Sequence, residues 1–264
     1  MDGRPMTAQE ARSAIRRGEW RRPTAGLAPA NAQANLVMLP REHAYDFLLF
    51  CQRNPRPCPL LGVTDPGAYE PACARGGDLR TDLPRYRLFR DGAIAAELDD
   101  LLSVFRDDLV SFLIGCSFSF EAALLDEGLE VRHLTEGRNV PMYRTSRSTA
   151  PAGPFAGPLV VSMRPFPKAQ VASAIAITSR VPRVHGAPVQ VGDPEALGIA
   201  DLARPDYGEA VTVRAGEVPL FWACGVTAEA ALVGARLPFA LTHAPGYMLV
   251  TDIPCGGPFP GDMV

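Results

Sequence analysis

Apolar residues recur at helical spacing in several parts of the chain. Thr7 and Glu10 have the spacing of a capping box, and Gly18 is a stop signal, so a short helix is predicted to run to Arg17. A second helix is predicted over 41–52, where apolar residues fall three and four positions apart. Four more helices are predicted, over 101–113, 120–127, 165–180 and 227–236.

Shorter apolar runs between turn residues predict strands. They lie at 36–39, 60–64, 85–89, 129–134, 158–163, 188–191, 210–213, 218–223, 239–242 and 248–250. The run Pro158–Met163 is almost wholly apolar, as expected of a strand buried on both faces, and the helix predicted after it completes a strand–loop–helix unit. The mixture of elements indicates an α/β (mixed α+β) fold, and this unit favours a partly parallel sheet.

Length and charge narrow the class of protein. The 264 residues, 47% of them hydrophobic, suffice for one large domain or two tightly joined ones. The net charge is −3 and no basic run exceeds two arginines, so nucleic acid is not an expected partner. No apolar run approaches the length of a membrane span, and residues 1–22 hold no apolar signal region, so we expect a cytoplasmic protein.

Lysine and cysteine usage excludes further chemistries. Lys168 is the sole lysine among 26 basic residues, so a phosphate-binding P-loop is excluded and Schiff-base catalysis is disfavoured. The six cysteines are too sparse for a disulfide scaffold, and no Cys-x-x-Cys occurs. Free thiols are therefore expected, some of them buried.

The first candidate for chemistry is the junction between the helices predicted over 101–113 and 120–127. Ser119 and Glu121 suit the start of a helix, and capping alone explains them. Cys116, with Ser117 beside it, lies close to free amides, where a thiolate or a bound anion is stabilised. Both interpretations stay open.

Arginines beside glycine or proline are the second candidate. Arg138 and Arg144 lie in one predicted loop and offer the forked donors that carboxylates require, although loop arginines are also common on solvated surfaces. Arg164 follows a predicted buried strand, where α/β proteins hold their ligands.

Two of the four histidines, His185 and His243, lie in turns rich in glycine and proline, where they could transfer protons or serve as structural hydrogen-bonding groups. A triad built from Cys116 or Ser117 with one of these histidines and Glu121 is conceivable. Metal-ligand types also occur, at Cys116, His133, His185, Cys224 and His243, but no standard spacing supports a metal site, and we expect neither a metal nor a cofactor.

Eight longer segments carry motifs in a fixed order: Arg53–Leu61, Asp78–Tyr86, Ile114–Ala122, Gly137–Tyr143, Val161–Pro165, His185–Pro188, Phe221–Thr227 and Thr242–Gly246. Together they resemble the family of hydro-lyases related to D-glutamate cyclase, over nearly the whole chain. The resemblance implies a lyase that forms or eliminates water, with conversion of D-glutamate to 5-oxo-D-proline as the specific candidate. It also implies a two-part fold, in which a smaller α+β part is inserted in a larger sheet domain. We expect residues 1–264 to form one catalytic unit, with 1–60 and 100–180 as the larger part and 61–99 and 181–264 as the smaller.

The implied reaction allows roles to be assigned to candidate residues. Catalytic roles are expected for His185 or His243 in proton transfer, for Ser117 and the amides around Cys116 at an oxyanion, and for Glu121 as a base or its orienting group. Substrate binding is expected from Arg138, Asn139, Tyr143, Arg144, Arg164 and Cys224.

Two other functions stay open. One is a non-catalytic protein that binds a small carboxylic acid in 5-oxoproline metabolism. The other is a hydro-lyase for a different hydroxy or amino acid. In each case the expected partner is a small carboxylic or amino acid, and the sequence leaves open whether the chain forms a homo-oligomer.

Overall fold

The structure, a computed structural model, describes residues 4–255. Eleven strands and six helices lie within that range. The strands are β1 (Asn31–Pro40), β2 (Leu60–Val63), β3 (Tyr86–Arg90), β4 (Ala93–Leu98), β5 (Leu109–Gly115), β6 (Met142–Ser148), β7 (Pro158–Pro167), β8 (Gln190–Val191), β9 (Glu217–Ala223), β10 (Ala240–His243) and β11 (Leu249–Pro254). The helices are α1 (Ala8–Arg16), α2 (Arg41–Arg53), α3 (Glu121–Asp126), α4 (Arg132–Thr135), α5 (Val171–Ser179) and α6 (Val226–Ala235).

Seven strands form the first sheet, in the order β2-β5-β1-β10-β3-β4, with β11 also paired to β1. The long strand β1 is central, because β5 lies along one edge from Ala34 opposite Gly115 to Pro40 opposite Leu109. The other edge of β1 is shared by β10 and β11. Helices α2 and α6 pack on one face of this sheet and bury its aromatic and aliphatic side chains there.

The second sheet has the order β6-β7-β9-β8 and uses only strands that lie between β5 and β10 in the chain. Strands β7 and β9 pair over seven residues, from Val161 opposite Ala223 to Pro167 opposite Glu217. The subdomain division expected from the sequence separates these two strands. That division stays a prediction, but the sheet does not follow its boundaries.

The mixed α/β class is confirmed, whereas the expectation of a partly parallel sheet is wrong. Every pair of named strands among residues 4–255 is antiparallel. The strand–loop–helix unit does exist as β7 and α5, but the long connection after α5 brings the chain back to β9 in the opposite direction. A strand and the helix after it lead to a parallel pair only when the chain crosses back to the end of the sheet where the first strand began and pairs there.

Several predicted elements are confirmed with small shifts at their ends. The capping box at α1 is present, since Thr7 Oγ1 accepts a hydrogen bond from the Glu10 amide and Glu10 Oε2 accepts one from the Thr7 amide. The predicted helix over 41–52 is α2, and the strand predicted at 158–163 is the start of β7.

Other elements differ. The helix predicted over 101–113 is instead a set of turns followed by β5, whose seven residues are all buried between β1 and β2. A strand buried on both faces has no alternation, so periodicity alone does not separate it from a helix. The strand predicted at 129–134 is replaced by α4, where Arg132 is anchored to Glu217 of β9 (Nη2 to Oε1, 2.6 Å). No strand forms at 210–213, while the mostly exposed strand β4 and the partly buried strand β6 were not predicted.

Candidate functional site

Five polar residues from three parts of the chain converge where the two sheets meet. A 3₁₀ turn after β5 carries Ser117, and α3 begins directly after it with Glu121. Ser162 and Arg164 lie two positions apart on β7, so their side chains point from the same face of the second sheet. His133 joins them from α4.

Arg164 is the centre of this cluster and its side chain is 0% exposed. Its Nε donates to Glu121 Oε1 (3.0 Å), Nη2 to Ser117 Oγ (3.0 Å) and Nη1 to Ser162 Oγ (3.1 Å). Nη2 also pairs with Glu121 Oε1. The guanidinium carbon lies 5.0 Å from the ring centroid of Phe120, within range of a cation–π interaction. The guanidinium is therefore held by the protein itself.

Glu121 is ionised although it is buried. Burial opposes its charge, but the neighbouring His133 and Arg164 outweigh that effect and keep the pKa of the carboxyl below its usual value. His133 Nε2 is 3.1 Å from Glu121 Oε1. Glu121 Oε2 and His133 Nδ1 have no hydrogen-bond partner among residues 4–255, so each could bind a ligand atom.

Cys116 and Cys224 lie beside the cluster in an apolar shell with Met142, Val160 and Val226. Burial raises the pKa of Cys224 to about 11 and raises the pKa of Cys116 above its ordinary value. Both are thiols near neutral pH, so the expectation of a stabilised thiolate at Cys116 is wrong: loss of water outweighs the nearby amides.

His185 and His243 occupy separate surroundings. His185 Nδ1 is 2.7 Å from the carbonyl oxygen of Arg56, and the charge of Arg164 helps to disfavour its protonation. His243 Nδ1 lies 3.2 Å from both the amide nitrogen and the carbonyl oxygen of Leu36. Burial lowers the pKa of each imidazole to about 4, and the Nε2 atom of each has no hydrogen-bond partner within the described residues. Only His185 is near the Arg164 cluster.

The residues expected to bind substrate around β6 are scattered. Arg138 and Arg144 are exposed, and Arg138 donates to the carbonyl of Ala210. Tyr143 points to the opposite face of the second sheet from Arg164, where its hydroxyl donates to the carbonyl of Leu202 (2.7 Å). Asn139 lines a separate cleft between the sheets.

Gly115 allows the turn at Arg183 to pack directly against the end of β5. A Cβ atom at this position would lie 2.0 Å from the carbonyl oxygen of Arg183, in the turn that crosses the end of β5. Only glycine permits this approach, which brings the neighbouring His185 over the strand end.

Ser162 was not among the site residues expected from the sequence. Its signal was available, because a residue two positions from Arg164 on a strand shares the same face. His133 was considered only as a metal-ligand type, since its segment was predicted to be a strand.

Within residues 4–255 no cluster of three or more histidine, cysteine or acidic side chains could hold a metal ion. No helix of that range has the length and apolar character needed to cross a membrane.

Comparisons with known proteins cover most of the chain. A sequence model described as D-glutamate cyclase matches residues 110–252. A protein of Stutzerimonas stutzeri named "Putative hydro-lyase" is 59% identical over 251 residues, which cover 95% of each chain. A protein of the same name from Rubrobacter xylanophilus is 61% identical over 246 residues, which cover 93% of this chain and 95% of the relative.

Proposed function

The chain belongs to the D-glutamate cyclase family, whose relatives bear the name hydro-lyase, and from that premise we propose that it forms 5-oxo-D-proline from D-glutamate with loss of water. In this reaction the amino nitrogen bonds to the side-chain carboxyl carbon and one C–O bond of that carboxyl breaks. Two of the three ammonium protons leave with the oxygen as water. A single substrate closes on itself, so an enzyme gains rate by holding the reacting atoms together.

One observation supports this proposal above the others: an ionised Glu121, buried with Arg164 and two serine hydroxyls, at the meeting point of the two sheets. Replacing a buried ion pair with apolar side chains is often neutral or stabilising, so this pair is poorly explained by stability alone. Displaced pKa values and unpartnered polar atoms are typical of active sites.

The cluster supplies the groups that ring closure needs. Glu121 has a free Oε2 atom that can accept a proton from the substrate ammonium. Ser117 Oγ and the neighbouring backbone amides can donate to the oxyanion that forms at the attacked carbon. Arg164 is a positioning residue in this proposal, because its donors already hold Glu121 and both serines.

The test is to incubate the purified chain with D-glutamate and with L-glutamate and to measure 5-oxoproline by chromatography. Product from D-glutamate is expected. Glu121→Gln keeps the shape but removes the base, and it should lower kcat at least 100-fold, at the low end of the effect of a general base. Glu127→Gln is the matched control, because Glu127 is exposed at the end of the same helix.

Ser117→Ala gives a second measure that changes no charge. The loss of one oxyanion donor is expected to reduce kcat by about 100-fold or more with little change in KM. Thermal melting of each variant checks folding. A folded Glu121→Gln variant with unchanged kcat would overturn the role of Glu121, and absence of product from the folded parent protein would overturn the cyclase proposal.

A further inference from the structure

A second polar site opens to solvent between the sheets. It is a cleft of about 630 Å³, where the ends of β3 and β10 face the loop at 206–209. That loop is joined to the second sheet by paired backbone hydrogen bonds between Tyr207 and Met142 (2.9 and 3.1 Å). Asn139, the one residue of the sequence-derived site that lines this cleft, lies beside the loop.

Two guanidinium groups that line the cleft have unused hydrogen-bond donors. Arg85 contacts Asp99 at 3.5 Å and makes no side-chain hydrogen bond among residues 4–255. Arg87 donates from Nε to Glu97 (3.1 Å) and from Nη1 to Glu229 (2.8 Å), which leaves Nη2 without a hydrogen bond in the described part of the chain. Both arginines can therefore offer donors to a carboxylate that enters the cleft.

The cleft also carries negative charge. Its lining includes Glu97, Asp206 and Glu209, so carboxylates outnumber the two guanidinium groups. A plain dianion would be repelled by this rim. A zwitterionic amino acid fits better, because its carboxylate can lie on the arginines while its ammonium lies near the acidic side chains.

Glu229 lies behind Arg87, on α6, and its side chain is 3% exposed. Its Oε1 atom accepts from Arg87, whereas Oε2 has no hydrogen-bond partner within residues 4–255. Burial raises the pKa of this carboxyl to about 7, while Arg87 opposes that shift. The charge of Glu97 also raises the pKa of Glu229. Glu229 in turn raises the pKa values of Tyr207 and Cys224.

We propose that this cleft binds a small amino acid, with its carboxylate on Arg85 and Arg87 and its ammonium at the acidic rim, and that Glu229 takes up a proton when the ligand binds. The reason for the proton uptake is that the ligand carboxylate and Glu229 compete for the same cation, Arg87. A ligand carboxylate on Arg87 weakens the attraction that keeps Glu229 ionised, so the buried carboxyl binds a proton from the buffer. The choice of an amino acid rests on the proposed function; the location rests on the charges around the cleft.

Isothermal titration calorimetry of the full chain at pH 7 tests both parts. The probes are D-glutamate, L-glutamate and glutarate, which has the two carboxylates but no ammonium. Each titration is repeated in two buffers of different ionisation enthalpy, which reports the protons taken up. At least one glutamate enantiomer is expected to bind more tightly than glutarate, with an uptake of less than one proton, since the pKa of Glu229, about 7, lies close to this pH.

Three variants locate the site. Arg85→Gln should weaken the binding of glutamate about tenfold, the usual size for one hydrogen bond to a charged group. Arg90→Gln is the matched control, because Arg90 is exposed at the far end of β3, the strand that Arg85 directly precedes, and does not line the cleft. Glu229→Gln should keep binding but abolish the dependence of the measured heat on the buffer.

Unchanged affinity in Arg85→Gln, or glutarate as tight as both glutamates, would overturn the binding site. Heats from the parent protein that are the same in both buffers would overturn the proton uptake. Assay of 5-oxoproline in the recovered samples separates this inference from the proposed function: binding without product refutes the cyclase activity and leaves the site standing.

Discussion

Replacing Arg164 with methionine tests how much the buried charge of Glu121 depends on this arginine. The substitution keeps an unbranched side chain of moderate size, removes the guanidinium donors to Glu121 and the two serines, and leaves His133 beside the carboxylate. Removing one partner of a buried pair costs about 3–5 kcal/mol, because the other charge is left uncompensated. For a chain of this length that loss corresponds to a decrease in Tm of roughly 6–20 °C.

The loss should depend on pH in a defined direction. In the parent protein the pKa of Glu121 is lowered on folding, so its contribution to stability is present above its unfolded pKa and is lost as the pH falls. Without Arg164, only His133 among the neighbours that lower the pKa of Glu121 still opposes burial, so the folded pKa of Glu121 should rise relative to the parent protein. The stability that the ionised carboxyl contributes above its unfolded pKa is then smaller than in the parent, and the deficit grows as the pH rises. The parent and Arg164→Met should therefore differ more at pH 8 than at pH 5.

Urea unfolding followed by circular dichroism at the two pH values measures this difference. The double variant Arg164→Met with Glu121→Gln is the control, since it removes the stranded charge and should recover most of the stability lost at pH 8. An equal loss at both pH values, or a double variant no more stable than the single one, would refute the reasoning that Glu121 is ionised and held by Arg164.

Three further predictions use other features of the fold. Gly115→Ala should lower the free energy of unfolding in urea by about 1–3 kcal/mol, because the added Cβ atom meets a backbone oxygen. Gly62→Ala should lower it less, because the nearest atom to the added Cβ is 3.8 Å away. Equal losses would contradict the close approach at Gly115. His185 and His243 should stay neutral at pH 5.5 in NMR titrations, and stability should fall as the pH drops from 6.5 towards 4, whereas imidazole signals that titrate near pH 6.5 would rule this out. Five of the six cysteines are buried, so a thiol reagent should modify at most one per folded chain and all six in denaturant, and rapid modification of more would disprove that burial.

The fold could be predicted wherever a local signal decided the structure. The capping box placed α1, and the helical spacing after Pro40 placed α2. The signal failed for β5, since its burial comes from pairing with β1 and β2, which lie far away in the chain. Strand direction was also outside the reach of local patterns, because it depends on where the long connection between β7 and β9 re-enters the sheet.

The candidate site, like the fold, could be predicted only in part. The residue types of Ser117, Glu121 and Arg164 pointed to chemistry, and the structure brings these three together. Their exclusion from solvent could not be read from the sequence, so Arg164 was expected to hold a substrate rather than Glu121. Arg87 and Glu229 were missed because neither lies in a glycine-flanked turn; each belongs to a regular element, and only the packing of α6 against the first sheet pairs them.

The central position of β1 has a consequence for synthesis of the chain. One edge of β1 finds its partner early, in β5, but the other edge waits for β10 and β11, which are made about two hundred residues later. During that interval a long strand, nine of whose ten residues are buried in the finished fold, presents unpaired backbone groups, the arrangement that other chains recognise and extend. Contacts between such distant segments also form slowly. The nascent protein is therefore most exposed to aggregation just before the strands that complete the first sheet leave the ribosome.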